Sequence, residues 1–239
     1  MTTAPFRLEG DDRGVLLVHG LAGSPYAMRF LGQKLAGRGF TVFAPALPER
    51  TGWLAAVEAE LAALRERCSR IAVAGLSLGA LLTLRLAERG AELRAIAVLA
   101  APLWLPLHIR AAVTGLSRLE RLFGPIPDIP NFGGSDIRDP EVRRTYPSPV
   151  GFPIASLAEL LELQADVRAD LPKVRVPTLV IHGDHDHTAP PAGAREIERR
   201  IGATDKKLVR LPLSFHIVTL DVERDAVAAA VGDFFAERM

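Results

Sequence analysis

Short, nearly unbroken apolar runs alternate along this chain with stretches in which apolar residues return every third or fourth position. The runs at residues 15–19, Thr41–Ala44, 71–74, Ala95–Leu99, 178–182 and 207–211 have the length of strands. Their near-continuous apolarity predicts strands covered on both faces. Met28, Leu31 and Leu35 recur at helical spacing, as do Trp53, Val57, Leu61 and Leu64. Residues 80–87, 191–201 and 221–235 complete the predicted helices. Strands alternating with helices in this way predict an α/β chain with one mostly parallel sheet wrapped by helices.

One region breaks the alternation. Between Trp104 and Arg175 no convincing strand is visible, but two helical patterns are. Ile109, Val113, Leu116, Leu119 and Phe123 form one stripe; Leu157, Leu160, Leu161 and Gln164 form another, behind a Ser156-x-x-Glu159 capping box. Residues 124–153, rich in Pro and Gly, read as irregular. About 70 residues is too long for a connection inside a compact domain. The expected organisation is therefore a core made of residues 1–103 and 176–239, with residues 104–175 inserted after Ala95–Leu99 as a small helical cap over the carboxyl ends of the strands.

Candidate chemistry centres on Gly75-Leu76-Ser77-Leu78-Gly79, which follows the apolar run 71–74 and precedes the Ala/Leu-rich segment 80–87. A strand, a Gly-x-Ser-x-Gly turn and a helix in that order form a nucleophile elbow. The turn is tight enough that side chains two positions either side of the serine would clash, and glycine removes them. A serine hydroxyl needs a base, and histidine titrates near the working pH. The chain offers His19, His108, His182, His185, His187 and His216. In elbow enzymes the order is serine, acid, histidine, with the histidine after the last strand; only His216 fits.

The acid must come from a neighbouring strand end. Asp184 and Asp186 both follow the run 178–182; the Gly183-x-x-Asp186 turn carries Asp186 over the sheet edge, which favours it, while Asp184 suits local backbone bonding. For an oxyanion hole the expected donors are the N–H of Leu78, just after the nucleophile, and that of Leu21, in the loop His19-Gly20-Leu21. His19 itself reads as a structural residue bracing that loop. Alternating His and Asp at 182–187 also raises a metal site, but in an extended segment the two residue types face opposite ways and no second cluster supplies further ligands. No metal and no cofactor are expected.

Composition narrows the partners. The 239 residues carry 29 Lys plus Arg against 28 Asp plus Glu, a net charge of +1, and no basic face with interleaved aromatics is visible, which argues against nucleic acid. At 49% hydrophobic residues the chain can bury a large core. Cys68 is the only cysteine, so no disulfide is expected. Neither a secretory leader nor a membrane-spanning apolar run is evident, and the default expectation is a soluble cytoplasmic protein.

With these residues placed, the chain resembles the α/β-hydrolase family, and more closely its small bacterial carboxylesterases and monoacylglycerol lipases. The resemblance rests on 17–25 (Leu-Val-His-Gly-Leu-Ala-Gly-Ser-Pro), 72–79 around Ser77, and 215–221 around His216, with 163–168 in the cap as a weaker match. It implies an α/β-hydrolase fold, ester hydrolysis through an acyl-enzyme without a cofactor, and Asp186 rather than Asp184 as the acid. The expected function is that of a serine carboxylesterase; monoacylglycerol lipase, thioesterase and cofactor-free perhydrolase activity, or a binding protein on the same fold, are the alternatives. The chain departs from the family in its short 45–52 loop and its Pro-rich cap centre, 125–130. The short loop is expected to leave one side of the site open. Trp104, Leu105 and Ile109 are expected to wall the substrate pocket, with a preference for short to medium acyl chains on a small-molecule ester.

Overall fold

The computed structural model describes residues 2–131 and 133–239. Its sheet contains β1 (Phe6–Leu8), β2 (Arg13–Val18), β3 (Thr41–Ala44), β4 (Arg70–Leu76) and β5 (Ala95–Leu99). After a long insertion, β8 (Thr178–Gly183) and β9 (Lys206–Leu211) complete it, in the order β1-β3-β2-β4-β5-β8-β9. Every neighbouring pair is parallel except β1 with β3.

Strand residues alternate between two cores, as a period of two requires when both faces are covered. Leu16, Val18, Val73, Ile96, Val98 and Val180 face α2 (Trp53–Arg65), α3 (Leu78–Glu88) and α7 (Ala192–Arg200). Val15, Leu17, Ala72, Ala74, Ala97, Leu99 and Ile181 face α1 (Tyr26–Ala36) and α8 (Arg224–Ala236). The six expected strands are all present. The three-residue β1 is too short to leave a periodic signal and was not foreseen. β4 also runs on through Gly75 and Leu76, so the strand delivers the chain directly to Ser77.

Between β5 and β8 lie α4 (Leu107–Phe123), β6 (Ile129–Pro130), α5 (Pro140–Thr145), β7 (Gly151–Phe152) and α6 (Ile154–Asp170). The two expected helices are α4 and α6. Residues 124–153 are not irregular throughout, because β6 and β7 pair antiparallel and Asp139 caps α5 by accepting from the N–H groups of Glu141 and Val142. The expected capping box does not form. Pro153, whose fixed φ suits a helix start, precedes Ile154, so α6 begins earlier and Ser156 lies inside it. Ser156 Oγ instead donates to the Arg50 carbonyl at 2.7 Å, and the Glu159 carboxylate accepts from the Gly52 N–H at 3.2 Å. Both tie α6 to the 45–52 loop. Among the described residues, no helix is long and apolar enough to cross a membrane.

Candidate active site

The carboxyl ends of β4, β8 and β9 converge on Ser77. Its φ of 58° and ψ of −118° lie outside the regions L-residues favour, the strain expected of an elbow. A Cβ on Gly75 would stand 2.0 Å from the Gly79 carbonyl oxygen, and one on Gly79 would stand 2.1 Å from that of Val18. Backbone fills the space on both sides, so neither position admits a side chain.

Ser77 Oγ lies 2.9 Å from His216 Nε2, and His216 Nδ1 lies 2.7 Å from Asp186 Oδ2. An ionised carboxylate only accepts, so Nδ1 carries the proton and Nε2 is free to accept from the Ser77 hydroxyl. Asp186 is held on both oxygens. Oδ1 accepts from the N–H groups of Thr188 and Ala189 at 2.9 and 2.7 Å; Oδ2 accepts from His216, and His182 Nε2–H is shared between Oδ2 at 3.0 Å and the Ala189 carbonyl at 3.1 Å. Burial pushes the Asp186 carboxyl up, but the His216 charge, the His182 and His216 hydrogen bonds and the Ala189 N–H together hold it well below the usual carboxylate range. Burial works against a charged His216, yet the Asp186 carboxylate, with a smaller contribution from Asp136, raises its pKa above that of an ordinary histidine.

The 182–187 run disperses. His182 turns inward to Asp186, Asp184 pairs with Arg210 at 2.8 Å, His187 Nδ1 donates to Asp136 at 2.9 Å, and His185 sits edge-on to Phe215. Among the described residues, no three His, Cys, Asp or Glu side chains are grouped closely enough to hold a metal ion.

The residues expected to supply the oxyanion donors are Leu78, next to Ser77, and Leu21, in the loop after β2. Leu78 is the first residue of α3, so its N–H is among those a helix leaves without an internal acceptor. Leu21 follows Gly20, where a Cβ would come within 3.2 Å of Ser77 Cβ. Leu21 and Leu78 line one cavity with Ser77 and His216. His19 braces their loop: its Nε2 accepts from the Leu47 N–H at 3.1 Å, which leaves Nδ1–H to donate to the Gly20 carbonyl at 2.8 Å. Burial lowers its pKa, consistent with a neutral ring.

That cavity encloses about 750 Å³. Leu105 and Ile109 line it as expected, together with Val113, Tyr146, Phe152, Leu157, Leu160 and Ile217. Trp104 is not among its walls; it packs against the core on the α2–α3 side of the sheet. Leu105 packs against the same core and also reaches the cavity wall. A second cavity of about 540 Å³ lies between Leu47, Pro48 and Glu49 and residues 149–151 of the insertion, sharing Gly23, Leu78 and Pro149 with the first. The side next to the short 45–52 loop is therefore flanked by the insertion.

Two aspartates near His216 escaped the sequence reading. Asp221, fully buried, accepts from the N–H groups of Phe215, Val222, Arg138 and Asp139. Asp136 accepts through its carbonyl from the N–H groups of His216 and Ile217. His182, from the sequence a candidate base and a possible metal ligand, takes a supporting place beside Asp186 instead. Asp136 acts across 51 to 52 residues on the acid loop and Asp221 across 82 to 83 on the strap, distances at which no local pattern signals a partner, whereas His182 is four residues from Asp186 and is turned to it by the fold.

A strained serine bonded to a histidine, which is bonded in turn to a buried carboxylate, on this sheet order, agrees with the comparisons. The family described as Serine aminopeptidase, S33 (Hydrolase_4) matches residues 54–223. The chain belongs to that family, within the α/β-hydrolases. It is 37% identical over 245 residues to a thermostable monoacylglycerol lipase of Bacillus sp. (strain H-257), covering 98% of this chain and 94% of the relative. It is 30% identical over 249 residues to a carboxylesterase of Bacillus subtilis (strain 168), covering 98% and 96%. A structure from work on the metagenome-derived lipolytic enzymes LipS and LipT superposes with a TM-score of 0.87 at 30% identity, over 98% of each chain. The monoacylglycerol lipase of Paleococcus ferrophilus shares the fold, with a TM-score of 0.82 at 19% identity over 98% and 99%. These place the chain in the bacterial carboxylesterase and monoacylglycerol lipase branch.

Proposed function

We propose that this chain is a serine carboxylesterase acting on short- to medium-chain acyl esters, with Ser77, His216 and Asp186 as its catalytic triad. Its family and its relatives make it an ester-hydrolysing serine hydrolase. The observation that carries the residue assignment is the unbroken chain from Ser77 Oγ through His216 to Asp186 Oδ2, at 2.9 and 2.7 Å. In this reading His216 Nε2 takes the Ser77 proton as Oγ attacks the ester carbonyl. The Leu21 and Leu78 N–H groups receive the developing oxyanion. His216 then gives the proton to the departing alcohol, and water, activated by the same imidazole, cleaves the acyl-enzyme. Residues 104–175 act as a cap, and the apolar cavity beneath α4 and α6 takes the acyl chain. No step calls for a cofactor.

A second reading, monoacylglycerol lipase, is favoured by the 37% identity to the enzyme of that name. Hydrolysis rates across p-nitrophenyl esters of increasing acyl length and across monoacylglycerols separate the two, with Ser77→Ala as the blank. A maximum at short to medium chains supports the esterase, and a steep preference for long-chain monoacylglycerol supports the lipase. Ser77→Ala is expected to lower turnover by on the order of 10⁴ or more, because triad members act as a unit. A fluorophosphonate should add once, at Ser77; an adduct on another serine would overturn the nucleophile assignment.

A further inference from the structure

The loops that carry Asp186 and His216 do not meet only through the hydrogen bond between those two side chains. A single residue of the insertion, Asp136, bonds to both. Its backbone carbonyl accepts from the His216 and Ile217 N–H groups, each at 3.2 Å. One carboxylate oxygen accepts from the His187 N–H at 2.9 Å, the Thr188 N–H at 3.1 Å and Thr188 Oγ at 2.9 Å; the other accepts from His187 Nδ1 at 2.9 Å. Thr188 is also one of the residues whose N–H holds Asp186. The strap around Asp136 is itself fixed. Ile137 is fully buried in the core, and Asp221 accepts from the N–H groups of Arg138 and Asp139.

We propose that Asp136 is a positioning residue: it holds the acid loop and the histidine loop in register, so that the inserted segment sets the geometry of the triad. The proposal rests on the triad reading above. Asp136 acts through the two loops and takes no part in bond making or breaking. Misplacement by a fraction of an ångström at either loop lengthens the Ser77–His216 or His216–Asp186 hydrogen bond, and proton transfer is acutely sensitive to such distances. Loss of positioning therefore falls on kcat rather than on KM.

The charged and titratable groups on the elements packed around the His216 loop are Asp186, His185 and His187 on the acid loop, His182 on β8, Asp136 and Arg138 on the strap, and Asp221 and Glu223 before α8. Among these Asp136 contributes negative charge that favours protonated His216. Removing that charge while keeping the side-chain shape should move the acid limb of the pH profile to lower pH. A role confined to folding would not move it.

The test uses the full chain and three readouts: kcat and KM on p-nitrophenyl butyrate, the second-order rate of fluorophosphonate addition to Ser77, and the pH profile of kcat/KM. Asp136→Ala is expected to lower kcat by about ten- to a hundredfold with KM within about threefold, and to slow labelling in parallel. Asp136→Asn retains an oxygen acceptor for the loop N–H groups. It should keep kcat within about fivefold and shift the acid limb to lower pH. A folded Asp136→Ala with wild-type kcat, a defect confined to KM, or an Asp136→Asn acid limb at the wild-type position would each overturn the proposal. Where Asp136→Ala does not fold, the Asp136→Asn limb decides. Failure of wild-type Ser77 to label would instead overturn the triad reading itself.

Discussion

Asp186 is saturated: each of its oxygens accepts from two donors, and its side chain has no exposed surface. That saturation makes the effect of a single atom exchange predictable. In Asp186→Asn the oxygen must stay with the Thr188 and Ala189 N–H groups, which turns the amide NH₂ toward His216. His216 then carries its proton on Nε2 and cannot accept from Ser77. Turnover is expected to fall by on the order of 10⁴ while substrate binding survives. Asp184 lies two residues away but pairs with the half-exposed Arg210, so Asp184→Asn should keep activity within about threefold. Steady-state kinetics of the two variants side by side check the assignment. The pH profile follows from the same geometry: His216 must be neutral to act, its pKa is raised by Asp186, and so the acid limb of kcat/KM should lie above the ordinary histidine value of about 6.5.

The elements contribute walls as well as positions. α4 turns Ile109 and Val113 toward the cavity, and of the two residues before it that pack on the core, Leu105 lines the cavity and Trp104 does not. Each methylene of an acyl chain in contact with such a wall is worth about 0.8 kcal/mol, or about fourfold in kcat/KM. Ile109→Ala should therefore alter the acyl-length profile of p-nitrophenyl ester hydrolysis, lowering the rate on hexanoate and octanoate by about three- to tenfold relative to acetate. Trp104→Ala should leave that profile in place and lower the thermal unfolding midpoint instead, since it empties a packed site. The helical spacing of Ile109 and Val113 was legible from their residues. The orientation of Trp104 was not, because it lies just outside the helix, where no periodicity assigns a face.

At the scale of the whole molecule, the insertion is joined to the core by a charged cluster as well as by apolar packing. Arg85 on α3 pairs with Asp166 and Asp170 on α6 and with Glu88 on its own helix. Glu88 is buried, and one of its carboxylate oxygens lacks a partner. Burial raises its pKa to about 7, with Arg85 opposing. A carboxyl whose pKa is higher folded than unfolded stabilises the fold while protonated in both states, and that contribution is lost as pH rises from about 4.3 through about 7. Glu88→Gln should thus match the wild type near pH 4, exceed it in unfolding midpoint at pH 8, and flatten the dependence between. Thermal melts across that range measure it; a wild-type slope retained in Glu88→Gln would count against the buried carboxyl as its source.

What the sequence determined by itself is whatever depends on a few consecutive residues. Continuous apolar runs specify strands covered on both faces, and Gly75 and Gly79 specify a turn that backbone crowds on both sides. The chain order of Ser77, Asp186 and His216 follows because strand ends bring loops of known order to one edge. Only the tertiary structure decided the rest. Ser156 and Glu159 match a capping box, yet they bond to the 45–52 loop, because Pro153 had already started the helix and the loop offered a carbonyl and an N–H within reach. His182 became a support for Asp186 rather than part of a metal cluster, and Asp136 was drawn to His216 and His187 from another part of the chain. A polar side chain takes the partner that folding leaves nearest when water is excluded, and the choice among distant partners is made by packing that no local pattern encodes.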